Sequence, residues 1–95
     1  MEGRRMFFQS ESKAQTWRAV AQFADRPELL IYLGRSSTQV RNSFSEAFSE
    51  ILDEEEQAAC IAVALERWNG TPDSGRWLNQ ATLNVPTSAL LVKVA

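Results

Sequence analysis

The 95-residue chain has no histidine and one cysteine. It therefore lacks the side chain that most often serves as general base, as metal ligand, or as partner to a serine or cysteine nucleophile. One thiol without imidazole does not build a zinc site. The carboxylates left for acid–base work are Glu54, Glu55, Glu56 and Glu66. The pattern places them on helices, where such charges ordinarily form a solvated face. Asp53-Glu54-Glu55-Glu56 also lacks the spaced oxygens and central glycine of a calcium loop. The expectation is a non-enzymatic chain with no catalytic residue, no metal and no cofactor.

Three groups of residues could instead bind something. Gly34, Arg35, Ser36 and Ser37 join an apolar run to a helical pattern, and free amides at a helix start, an Arg and two hydroxyls are the parts of an anion site. The same residues are what a capped strand-to-helix connection needs, and the spacing and lysine of a P-loop are missing. Basic residues in the first part of the chain, chiefly Arg4, Arg5 and Arg41, offer a nucleic-acid alternative. A pI near 5.1 weighs against it, because phosphate binding needs a gathered basic surface. The third group is Trp77 with Arg76. Trp and Arg are enriched at interface hot spots, and Trp77 follows a turn among the polar neighbours Asn79 and Gln80. An Arg over a Trp face would brace that segment by about 0.5–1 kcal/mol even without a partner.

These residues need a scaffold, and the composition supplies the means for one. With 44% hydrophobic and 23% charged residues, the chain resembles ordinary folded proteins and lacks the signature of disorder. Its length suits a single domain over residues 1–95. The longest apolar run, Ala58 to Leu65, is eight residues, too short to span a bilayer. The basic Arg4-Arg5 pair is not followed by the apolar stretch of a secretory signal. One unpaired cysteine points to a reducing, cytoplasmic setting. Charge is uneven: residues 1–43 hold seven basic against four acidic side chains, and residues 44–95 hold three against eight. Such polarity can orient a partner or hold two copies head to tail.

The pattern predicts a strand over 4–9, then a capping box at Ser12 to Gln15. A helix running to about Ala24 follows, with an apolar stripe at Ala14, Trp17, Val20, Ala21 and Ala24. Leu29 to Leu33, between Pro27 and Gly34, reads as a central strand covered on both faces. A helix from about Ser37 carries Val40, Phe44, Phe48, Ile51 and Leu52 in phase, breaks near Leu52-Asp53, and resumes to Trp68 as a helix buried nearly all round. Asn69-Gly70 is its exit, Pro72 to Gly75 a turn, Arg76 to Leu78 a short strand, and 89–95 a final strand.

The fold class expected is α+β, with about three helices packed against a two- or three-stranded sheet made by 28–33, 89–95 and 4–9. The leading expectation for function is a non-catalytic protein–protein interaction or regulatory module of an intracellular complex, with an unidentified protein partner or a homodimer. A nucleic-acid-binding accessory protein and a small anion- or nucleotide-responsive domain are the alternatives.

Overall fold

The computed structural model describes residues 15–86. The strands expected over 4–9 and 89–95, and Arg4, Arg5 and most of the Ser12 capping box, lie outside the described residues. Within them the chain forms β1 (Trp17–Phe23), β2 (Leu29–Gly34), α1 (Ser37–Ile51), α2 (Glu54–Ala59), β3 (Cys60–Thr71) and β4 (Ser74–Leu83). The strands make one antiparallel sheet in the order β2-β1-β3-β4. Two helices and four strands thus replace the expected three helices on two or three strands. No helix among the described residues is long and apolar enough to cross a membrane.

The largest correction is at β1, where a helix is predicted. WRAVAQF satisfies two periods at once. Trp17 and Val20 fit a helical stripe, but Trp17, Ala19, Ala21 and Phe23 also alternate. The sheet decides between them. β1 is an interior strand paired on both sides, with Ala19, Ala21 and Phe23 buried on one face and Val20 on the other. An interior strand satisfies its backbone groups through both neighbours, and that outweighs the weak preference of alanine for helix.

The same competition recurs at CIAVALERW. The break near Leu52-Asp53 is present, and Asp53 caps α2 through a full capping box with Glu56. Yet α2 ends at Ala59, and the segment expected to continue as a buried helix is β3, the second interior strand. Burial nearly all round fits a helix or a strand covered on both faces. β-branched Ile61 and Val63 and the alternation of Val63, Leu65 and Arg67 favour the strand. Asn69-Gly70 accordingly leads into a hairpin, not out of a helix. The hairpin turns at Pro72-Asp73, with Thr71 opposite Ser74 and Gly70 at φ 127°. Arg76 to Leu78 is strand as expected, within the longer β4.

β2 lies where the apolar run predicts but at the sheet edge, not its centre. Ala19 pairs with Tyr32 and Val20 with Leu30, so Ile31 is the extra residue of a bulge. The bulge sends Ile31 into the core and leaves Leu29 and Leu30 exposed. α1 begins where expected, but Ile51, expected in its apolar stripe, is 52% exposed at the last helical position. Ser36 caps it, and Val40, Phe44 and Phe48 are buried in one cluster with Ala19, Ala21, Ile31, Val63 and Leu65. α1 therefore covers one face of the sheet, the connection from β2 to β3 passing over β1.

Candidate functional site

Trp77 sits in the part of the β3–β4 hairpin that projects past the start of β1. Trp17, the first residue of β1, pairs with Arg67, whereas Trp68 pairs with Trp77, Asn69 with Arg76 and Gly70 with Gly75. Strand alternation places Trp68, Trp77, Glu66 and Arg18 on the face away from α1. There they form one connected unit. The Trp68 and Trp77 rings meet edge to face, centroids 5.3 Å apart at 71°. The Arg18 guanidinium lies 4.2 Å from the Trp77 ring centre. Its Nε donates to Glu66 Oε1 at 2.7 Å, and its Nη2 lies 2.7 Å from the same oxygen. Trp68 Nε1 donates to the Thr71 carbonyl at 2.9 Å.

Trp77 is half-buried and Arg76 exposed. The expected brace between an Arg and Trp77 exists, but Arg18 provides it from two strands away, not the adjacent Arg76. Sequence reasoning does not bring Arg18, Glu66 and Trp68 to Trp77, and Glu66, expected on a helix, lies on β3. They come together only because β1, β3 and β4 are neighbours. The signal that could find them is the alternation Glu66-Trp68 once β3 is read as a strand. On the opposite face Arg67 stands 5.5 Å from the Trp17 ring centre, so two Arg–Trp contacts flank this end of the sheet.

At the Gly34 to Ser37 connection the capping geometry is on view. Gln39 N donates to Ser36 Oγ at 3.1 Å, and Arg35 N donates to Gln39 Oε1 at 2.7 Å. The Ser36 hydroxyl and the Arg35 amide are thus engaged within the chain. Gly34 is there for packing: a Cβ on it would come within 2.8 Å of Val40 Cγ2, so its absence lets α1 lie close to the strand end. Arg41 is exposed on α1. Arg4 and Arg5 lie outside the described residues. Among the described residues no group of three or more His, Cys, Asp or Glu is placed to hold a metal. Cys60 is a buried free thiol that donates to the Ala62 carbonyl at 3.3 Å.

The fold re-sorts the charges. β1 starts, β2 ends and α1 begins at one end of the sheet, and the hairpin projects there. That end holds Arg18, Arg35, Arg41, Arg67 and Arg76 against Glu66 and Asp73. At the other end β1 finishes, α1 finishes and α2 lies. Asp25, Glu28, Glu46, Glu50, Asp53, Glu54, Glu55 and Glu56 gather there against Arg26. Arg26 is held by Asp25 at 3.1 Å and Glu55 at 3.3 Å. The hydrogen bond from Arg26 lowers the Asp25 pKa, and bonds to Asp25 and Glu55 raise that of Arg26. Among the described residues the charge is thus polarised along the strand axis.

Comparison with protein-family models, curated proteins and solved structures gives no match for this chain.

Proposed function

We propose that this chain is a non-catalytic protein–protein interaction module of an intracellular complex, contacting its partner through the Arg76–Trp77 segment of the hairpin. The observation that carries this reading is the bracing of Trp77. Its ring meets Trp68 edge to face and has Arg18 over its face before any partner arrives, while Arg76 beside it stays exposed. An anchor fixed in advance loses little side-chain freedom on binding, at roughly 0.5–1.5 kcal/mol per immobilised side chain. Trp and Arg are also the residues most enriched among interface hot spots. The test is affinity capture with Arg76→Ala and Trp77→Ala variants whose circular dichroism matches the parent. Loss of the same partner from both supports the reading, and an unchanged partner set sinks it.

A second reading rests on the basic end. Arg41 does not act alone there, since Arg35, Arg67 and Arg76 are exposed at the same end. A nucleic-acid accessory role through that end predicts a salt-dependent mobility shift weakened by Arg41→Ala and Arg67→Ala. No shift at low salt removes it.

A further inference from the structure

The exposed large aliphatic side chains of the described residues, Leu29 at 37%, Leu30 at 46%, Ile51 at 52% and Ile61 at 62%, all lie at the acidic end. Leu29 and Leu30 begin β2, Ile51 closes α1, and Ile61 is the bulged residue between the Gln22–Ala62 and Phe23–Cys60 pairs. Four strands and two helices fold without covering them. Scattered exposed aliphatics are normal on a protein surface; here all four fall at one end of the strand axis, with Leu30 opposite Val20 and Leu29 opposite Ala21, on the two faces of the edge strand. The same end is acidic, with Glu28, Glu50 and Glu54 exposed.

α1 gains nothing from this layout. A helix is stabilised by acidic residues at its start and basic ones at its end, by roughly 0.3–1 kcal/mol each. α1 has no acidic residue in its first turn and no basic residue in its last. Instead Arg35 precedes it and Glu50 closes it. Charges set against the local preference point to a requirement outside the helix.

We propose that the acidic, aliphatic end docks the basic, tryptophan-bearing end of a second copy, head to tail. It rests on the reading of Arg76–Trp77 as a protein contact, and names the partner. The occupant follows from charge and chemistry. The opposite end offers Arg67 and Arg76 exposed beside half-buried Trp17 and Trp77, complementing carboxylates around aliphatics. Because the two surfaces differ, the contact is heterologous, and repetition closes a ring or extends a filament. Its ionic part weakens with salt, as the screening length falls from about 10 Å at 0.1 M to about 3 Å at 1 M.

The experiment is sedimentation of the full chain over a concentration series at low and high salt, with two variants that each break one end. Arg67→Ala with Arg76→Ala breaks the basic end, and Glu28→Gln with Glu50→Gln the acidic end. Parent chain is expected to grow in mass with concentration at low salt, and each variant alone to associate at least tenfold more weakly. An equimolar mixture of the variants should form a dimer and stop there, since it contains one intact surface of each kind. Ile51→Ser with Ile61→Ser, at exposed positions, should also weaken association and serves if a charge variant does not fold. A parent chain that stays monomeric, variants that associate like the parent, or a mixture that stays monomeric each overturns the proposal. If the chain is monomeric while Arg76→Ala and Trp77→Ala still lose a captured partner, self-association fails and the interaction module stands. A basic peptide captured by a monomeric chain at its acidic end likewise overturns self-association.

Discussion

Arg18 on β1 covers the ring of Trp77 on β4 at 4.2 Å, reaching across β3, where Glu66 fixes its guanidinium. A double-mutant cycle with Arg18→Ala and Trp77→Ala should give a coupling of about 0.5–1 kcal/mol in denaturant unfolding. Strictly additive losses would mean that the two side chains touch without supporting each other. Glu66→Ala should shrink the coupling, because the guanidinium is then free to turn away.

Gly75 makes room for Trp68. A Cβ there would strike the Asn69 carbonyl oxygen and come within 2.9 Å of the Trp68 ring. Gly75→Ala should therefore cost about 1–3 kcal/mol, as overpacking does. It should also alter the near-ultraviolet circular dichroism of the Trp68–Trp77 pair. An unchanged spectrum with unchanged stability would place the indole elsewhere.

Phe48 and Ile61 contrast core with surface. Phe48 is fully buried in the core cluster, and Phe48→Ala should cost about 3–5 kcal/mol through the cavity it leaves. Ile61→Ala should change stability by no more than about 0.5 kcal/mol, as at other exposed positions. Equal losses at both sites would contradict the bulge that turns Ile61 outward.

Asp25 should titrate below the ordinary aspartate range, because Arg26 hydrogen-bonds its carboxylate. A lowered folded-state pKa stabilises the fold above the unfolded pKa, and that contribution fades as pH falls through the folded one. Carboxyl-carbon NMR titration should show the Asp25 midpoint rising on Arg26→Ala. At neutral pH the Asp25→Asn variant should unfold almost with the parent, since the pair lies at the surface and Asp25 is mostly exposed.

Local chemistry was legible where one residue type has one use. The Ser36 cap, the buried positions Val40, Phe44 and Phe48, the break before Asp53, the turn around Pro72-Asp73 and the strand character of Leu29 to Leu33 could all be read from neighbours in the chain. The candidate site was legible only in part. Trp77 and Arg76 stood out by type and by the turn before them. Arg18 and Glu66 did not, because nothing local distinguishes them from other solvated charges.

By itself the sequence determined α+β content, the caps and the positions of several breaks, since these depend on side chains within a few residues of each other. Tertiary structure decided that WRAVAQF and CIAVALERW are strands. Both fit helix and strand periods, and only pairing on two sides settles which backbone bonds form. It also decided that Leu29 and Leu30 stand exposed on an edge, and that Arg18 meets Trp77. Among the described residues Arg18, Arg35 and Arg41 from early in the chain and Arg67 and Arg76 from late in it lie at one end of the sheet. Strand reversal at each hairpin, not chain order, sets which charges become neighbours.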